Sequence, residues 1–286
     1  MNDYQVWYDI EIVRELLGMT MQELADELGV SRMSLNRWKE DSSRISAANL
    51  SAFYSMAFRK NIRLNKIKEQ FFREDYSSDS HIILFHGAKT HIEGELSLEK
   101  SRQNNDFGKG FYCGENLEQS AMFVSNFPDS SLYIVDFLKD GLRSKRFGVN
   151  REWMLMIAFF RNRLGEFSDS VMIHELAGKL QGMDYIIAPI ADNRMFEIID
   201  SFIEGEITDI QCQHCLSATN LGNQYVLLTN KALKQTRILS HCYLAKEEKE
   251  HYLLSRREFN GLNHDKVKVA RRKYRGQGKY IEEILK

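Results

Sequence analysis

Net charge, cysteine and uninterrupted apolar sequence are all scarce in this 286-residue chain. Lys and Arg total 39 against 40 Asp and Glu, leaving −1. The whole chain therefore has no electrostatic commitment to nucleic acid or membrane, and any basic surface is local. No stretch approaches the roughly 20 apolar residues of a membrane helix. The polar start MNDYQVWYDIEIVREL is unlike a signal peptide, so the expected location is the cytoplasm and no membrane partner is expected. The four cysteines are Cys113, Cys212, Cys215 and Cys242. Cys212 and Cys215 bracket His214 in a C-x-x-C, and His241-Cys242 follow, but the later spacing departs from a standard zinc finger. No metal is expected, and the thiols read as reduced and partly buried. Internal repeats and low-complexity tracts are missing too. What remains, 43% hydrophobic and 28% charged, is ordinary globular material for one large domain or two smaller ones.

Residues 1–60 read as helices only. DIEIVRELLG sets Ile10, Val13, Leu16 and Leu17 at helical spacing and stops at Gly18. Thr20 precedes MQELADELG as an N-cap with Glu23 three residues on, a capping box. Gly29 ends that helix. Ser31 caps RMSLNRWKED, with Leu35 and Trp38 inward, and ISAANLSAFYSMAFRK follows as a further helix. Helix, glycine turn, helix at this spacing is a helix-turn-helix. TMQELADELGVSRMSLNRWKED resembles the DNA-binding unit of Xre/Cro-like repressors, through Ala25, Gly29, the apolar Val30 and Ser31. The resemblance implies a second helix in the major groove, with Arg32, Ser34, Asn36, Arg37 and Lys39 facing DNA. Arg and Asn suit guanine and adenine edges, and Lys neutralises phosphate. A helical bundle for dimerisation or partner docking is the competing reading, because the preceding helix is acidic at Glu23, Asp26 and Glu27.

NIRLNKIKEQFFRED then reads as a charged helix, broken by YSSDS, with a domain boundary near residues 77–80. From His81 the character changes. HIILFHG, SSLYIVDFL, MDYIIAPIAD and GNQYVLLT read as strands; NREWMLMIAFFRNRLG and DSVMIHELAGKLQG read as helices. HELAG is no metalloprotease signature, because Gly178 stands where the second His belongs. The expected fold class is α+β: an all-α helix-turn-helix domain, then a mixed β domain with helices, large enough for a ligand cleft. The expected divisions are 1–60, a helical connector 61–80, the mixed domain 81–240 and a basic helical extension 241–286. The last is rich in Lys and Arg and reads as a solvated helix or as a nucleic-acid or partner contact.

FGKGFYCGENLEQSAMF, residues 107–123, concentrates Gly108, Gly110 and Gly114 around Tyr112, with Ser120 and Phe123 on the next helix. Glycine at this density marks a special backbone shape or a close ligand. Three pieces stand in order: LFHG, GKGFYCGENLEQSAMF and NQYVLLT. Together they resemble the ADP-ribosyltransferase fold in its His-Tyr-Glu class, shared by poly-ADP-ribose polymerases and diphtheria toxin. LFHGAK, DFGKGFY, EW with a following NR, and DYIIAPIAD resemble a bacterial toxin-like branch of it. The resemblance covers roughly residues 82–233, one domain's worth of chain.

That resemblance implies NAD as co-substrate. His86 would hydrogen-bond ribose, Gly87 would let the main chain approach the nicotinamide amide, and Ser120 would donate to that amide. Tyr112 and Phe123 would stack on the ring, and Arg102 would meet phosphate or adenosine. Singly, each has a plainer reading as a core or surface residue; the joint order favours the ligand. The third motif departs from the class: Gln224 stands where the polymerases have glutamate. Glutamine keeps the hydrogen-bonding reach and loses the charge and any general-base role. Mono-transfer stays compatible, since the chemistry is largely positioning and electrostatics. The expected function is mono-ADP-ribosylation of a macromolecular acceptor by a toxin or defence effector with a DNA-binding head. The alternative is an NAD-sensing transcription regulator. An antitoxin protein and self-association as a homodimer are compatible with either. CQHCLSATNLG would stand in the place of the class's acceptor-recognising loop.

Overall fold

The computed structural model describes residues 4–219 and 222–286. Its N-terminal helices start where side chains satisfy the first amides. α1 (Val6–Leu17) ends at Gly18. α2 (Met21–Leu28) opens with the full capping box: Glu23 N donates to Thr20 Oγ1 at 3.2 Å, and Thr20 N donates to Glu23 Oε2 at 2.7 Å. α3 (Arg32–Glu40) is capped by Ser31, whose Oγ accepts from Ser34 N at 3.1 Å. α4 (Ala47–Arg59) is capped by Ser46, and α5 (Leu64–Tyr76) ends at Ser77. Ile10, Val13, Leu24, Leu35, Trp38 and Phe53 fill the core between them. Leu16 does not join it and is 59% exposed. Six residues beyond Ile10 it has turned about 240° round the helix, off the buried face.

The rest of the chain runs β1 (His81–Ala88), β2 (Phe111–Gly114), α6 (Leu117–Val124), β3 (Ser131–Leu138), β4 (Ser144–Arg146), α7 (Arg151–Phe160), α8 (Val171–Gly178), β5 (Tyr185–Pro189), α9 (Asn193–Ile203), α10 (Asp209–Ser217), β6 (Asn223–Leu227), α11 (Asn230–Lys234), β7 (Thr236–Cys242), α12 (Lys246–Lys273) and α13 (Ile281–Leu285). The fold class is α+β, helical at the N-terminus and then a mixed sheet with helices. No helix among the described residues is long and apolar enough to cross a membrane.

Two compact units divide the chain, each assembled from separate stretches. The first takes the chain up to Glu93, then Leu117–Leu138 and Arg237–Ser255. It holds the helix-turn-helix and the strands β1-β3-β7. β1 and β3 are antiparallel, pairing His86 with Tyr133 and Gly87 with Leu132. α6 covers them through Leu117, Ala121 and Val124 against Ile83, Phe85 and Ile134. The helical half of this unit has an ionic centre. Lys68 Nζ lies 3.1 Å from both oxygens of Asp9, with both side chains fully buried, and Tyr54 Oη donates to Asp9 at 2.6 Å. Asn65 Nδ2 donates to Tyr243 O at 2.9 Å and to the buried Glu248 at 3.1 Å. Burial pushes the Glu248 carboxyl up to about 7, against the lowering effect of its hydrogen bonds from Asn65 and Tyr252.

The second unit comprises Gly94–Asn116, Lys139–Thr236 and Arg256–Lys286. Its strands lie in the order β4-β5-β6-β2. β4 and β5 are parallel; β5–β6 and β6–β2 are antiparallel. α7 is buried all round from Trp153 to Ala158, which explains its unbroken apolar run WMLMIA. It packs among Ile186, Ile199, Phe202 and Val226.

Candidate functional site

The sequence-derived site residues fall in both units, and each set has its own geometry. In the first unit, His86 and Gly87 lie near the end of β1, and Ser120 and Phe123 lie on α6. Gly87 is demanded by packing: a Cβ there would come within 2.7 Å of Val124 Cγ1 and 2.9 Å of Ser120 O. The glycine therefore sets the close approach of α6 to β1, and it holds Ser120 and Phe123 beside His86. Ser120 is buried, and its Oγ donates to Phe85 O at 3.2 Å. With its hydrogen so engaged, the hydroxyl is arranged to accept rather than donate. Phe123 is 55% exposed. Behind His86, at 6.3 Å between ring centroids, lies Tyr133. Tyr133 Oη accepts from Ile92 N at 2.8 Å and bonds His91 Nδ1 at 3.0 Å, fixing the segment after β1. Its ring stacks on His241 at 4.6 Å, and Tyr4 stacks on His241 at 4.1 Å. Sequence reasoning missed this ring column, whose members are 129 and 108 residues apart in sequence; no local pattern announces it.

In the second unit, Tyr112 is on β2, and its hydroxyl is fully used. It donates to Gly108 O at 2.8 Å and accepts from Phe107 N at 3.0 Å, folding the glycine-rich turn over the ring. Burial pushes this phenol well above its ordinary value. Gln224, at the start of β6, is buried. Its Nε2 donates to Asp106 Oδ2 at 2.8 Å and to Pro189 O at 3.2 Å. Because both neighbours are acceptors, the amide NH2 must face them, and Oε1 faces elsewhere as an acceptor. Asp106 is itself held by Arg161, whose Nε donates to Oδ1 at 2.8 Å while Nη2 donates to Ala191 O at 3.1 Å. Sequence reasoning missed Asp106 and Arg161, although DFGKGFY begins at Asp106. A carboxylate thus sits beside position 224 even though the residue there is an amide. Glu115 Oε1 accepts from Asn223 N at 3.1 Å and from its Nδ2 at 2.8 Å, pinning the β2 end to the β6 start. Arg102 is exposed on the segment before Tyr112.

CQHCLSATNLG is for the most part helix: α10 continues to Ser217, with Asn220 and Leu221 outside the described residues. Thr208 caps it through Gln211 N. Cys212 and Cys215 are buried on α10, their thiols directed at Ile198 O and Val267 O. Burial pushes the Cys215 thiol up to about 11 and Cys242 up to about 12, so neither is poised as a nucleophile. Among the described residues no group of three or more His, Cys, Asp or Glu could hold a metal ion.

The set that the sequence expects to face DNA lies on α3. Arg32, Asn36, Arg37 and Lys39 are exposed, while Leu35 and Trp38 point into the core. Ser34 is half-buried, with its hydroxyl 2.9 Å from Ser31 Oγ. Met33, absent from the sequence-derived set, is 63% exposed on the same helix and suits a thymine methyl. Lys39 Nζ lies 5.4 Å from the Trp7 ring centre.

Comparison with known families bears on both parts. Residues 82–238, more than half of the chain, match the family described as protein of unknown function (DUF3990). The chain belongs to that family. The DUF3990 region contains His86, Gly87, Arg102, Tyr112, Ser120, Phe123 and Gln224, and Asp106 and Arg161 with them. Residues 10–53 match the helix-turn-helix family, from α1 into α4, so the DUF3990 region follows a DNA-binding head of Xre-like type. No curated protein and no solved structure matches the chain.

Proposed function

We propose that the DUF3990 region is a mono-ADP-ribosyltransferase using NAD, and that the helix-turn-helix brings it to DNA, either as substrate or to control its own operon. The observation that carries the reading is the order of the three motifs: LFHG with His86 near the end of a strand, GKGFY with Tyr112 on the next, and NQY with Gln224 opening another. In the reaction, the glycosidic bond from nicotinamide to ribose C1′ breaks and nicotinamide leaves with the bonding pair. The acceptor nucleophile then bonds C1′ and releases its proton. His86 is assigned to the ribose hydroxyls. Gln224 Oε1 is assigned to accept a ribose hydroxyl hydrogen. The carboxylate of Asp106 supplies, beside it, negative charge that favours an oxocarbenium-like transition state. Arg161, whose Nε donates to Asp106 Oδ1 at 2.8 Å, keeps Asp106 aimed. A DNA-binding head on such a domain fits a toxin or defence effector, with an antitoxin partner.

Nicotinamide release by wild type and by His86→Ala tests the reading. Release by wild type, lost in the variant at an unchanged melting temperature, supports it. Parallel loss of release and of stability makes His86 a packing residue. One observation favours a second reading, an NAD-sensing regulator: both amide hydrogens of Gln224 are held by Asp106 and Pro189, and no carboxylate stands at 224 itself. NAD binding that alters DNA affinity without nicotinamide release is the result that reading predicts.

A further inference from the structure

Residues 266–275, KVKVARRKYR, contain Lys266, Lys268, Arg271, Arg272, Lys273 and Arg275 and no acid, in a chain whose net charge is −1. A basic run on a helix is usually a solvated face. This one forms one wall of a groove of about 570 Å³ in the second unit. Lys266, Val269, Lys273 and Tyr274 line it from the end of α12, and His214 lines it from α10. The His214 and Tyr274 rings are parallel within 6°, with centroids 3.5 Å apart. Lys273 Nζ lies 5.3 Å from the Tyr274 ring centre. Of the six cations, Arg271 is paired with Glu206 at 3.1 Å; the other five have no carboxylate partner among the described residues. Asp265 also lines the groove and would repel a phosphate placed beside it.

The walls are fastened together. Asp209 N donates to Lys279 O at 2.9 Å, and Lys279 N donates to Asp209 Oδ1 at 2.8 Å. Thr208 Oγ1 donates to Gln277 O, and Gln211 Nε2 donates to Arg271 O. The contact requires glycine at 278, where φ is +92 and a Cβ would lie 2.6 Å from Ile210 Cγ1. The chain after α12 is therefore clasped to the start of α10, and the groove is a built feature of the unit. Flat rings, an apolar floor and cations not committed to carboxylates are the combination that holds an unpaired base with its phosphates. Phosphate alone gives no use for the rings, and duplex DNA keeps its base faces stacked inside.

We propose that this groove binds single-stranded nucleic acid, and that the strand is the acceptor of the transfer. The acceptor role rests on the transferase reading; strand binding does not. α10 precedes β6, the strand that contains Gln224, and the groove lies in the same unit as that residue.

Fluorescence anisotropy of the full-length protein with a labelled, hairpin-free single-stranded RNA tests it, with poly-glutamate as a base-free polyanion competitor. Tyr274→Ala is expected to weaken binding about fivefold or more, the lower end of losing one base–aromatic stack. Tyr274→Phe is expected to keep the affinity. Replacing Lys266 and Lys273 together by alanine is expected to reduce the slope of log Kd against log salt by about 1.4. Arg37→Ala is expected to leave strand affinity unchanged. Equal affinity in wild type and Tyr274→Ala overturns the proposal. So does loss with Arg37→Ala, which puts the strand on α3, or competition by poly-glutamate as effective as by unlabelled RNA, which makes the groove an acidic-protein dock. Strand binding without NAD cleavage keeps the groove as a strand site and removes the transferase reading. NAD cleavage without strand binding keeps the transferase and removes the groove.

Discussion

Gln224→Glu supplies the carboxylate of the polymerase motif, but the structure sets the new group against Asp106. The atom now donating to Asp106 Oδ2 at 2.8 Å and to Pro189 O at 3.2 Å would become an oxygen facing two acceptors. Two full charges about 3 Å apart repel by roughly 5–6 kcal/mol at an effective dielectric of 20. Protonating an ordinary glutamate at pH 7 costs about 3.7 kcal/mol. The smaller cost wins, so the introduced carboxyl takes a proton and donates it to Asp106. Gln224→Glu should therefore be about 3–4 kcal/mol less stable than wild type at pH 7, with Arg161 on Asp106 making that an upper figure. The sign of the pH dependence follows. The introduced acid has a folded pKa above its unfolded one, so the folded variant holds more protons and loses stability as pH rises between the two values. The deficit should be small near pH 4, still growing at pH 7, and full only above the folded pKa. Urea unfolding at pH 5 and pH 8 measures it, with Gln224→Met as the uncharged control. Stability equal to wild type at pH 8 refutes the reasoning. Being neutral, the introduced carboxyl adds no charge at the proposed ribose position, so nicotinamide release should not rise.

Arg37→Ala should weaken duplex DNA binding by about 1–3 kcal/mol without changing helix content; unchanged affinity in an electrophoretic shift removes α3 as the reading helix. Lys68→Met leaves the fully buried Asp9 carboxylate with the Tyr54 hydroxyl, and should cost about 3–5 kcal/mol in urea unfolding; a cost under about 1 kcal/mol contradicts the ionic centre. Glu248 has an ordinary value of 4.5 raised to about 7 in the fold, so the folded state holds more protons and wild-type stability should fall as pH rises through that window. Glu248→Gln should remove that slope, worth about 3 kcal/mol, and a wild type with flat stability between pH 5 and pH 8 refutes it.

Local signals carried most of what the sequence disclosed. The Thr20–Glu23 capping box, the Ser31 cap and the apolar runs of β1, β3, β5 and β6 are each decided within a few residues. β4 and β7 were not legible: SKR is too short and polar to alternate, and TRILSHC lacks a clear period. α10 was hidden for a related reason, since its apolar residues do not segregate to one face, and it is buried both against Ile199 and Phe202 of α9 and under the chain after α12. The motif residues His86, Tyr112 and Gln224 were visible as motifs. Their partners were not. Asp106 lies 118 residues from Gln224 and 55 from Arg161, and only the folded chain brings an amide, a carboxylate and a guanidinium together. Gly87 shows the opposite limit. Its presence was plain, yet its reason, the approach of Val124 and the Ser120 carbonyl, depends on how α6 lands on β1.

The most direct test is to incubate the full-length protein with NAD carrying a label on its adenosine, in the presence of single-stranded RNA, single-stranded and duplex DNA, and protein. Mass spectrometry then follows each acceptor. The proposed function predicts nicotinamide release with the label gained by one acceptor as a single ADP-ribose unit, absent with His86→Ala at an unchanged melting temperature. Bound NAD with neither nicotinamide release nor label on any acceptor contradicts it.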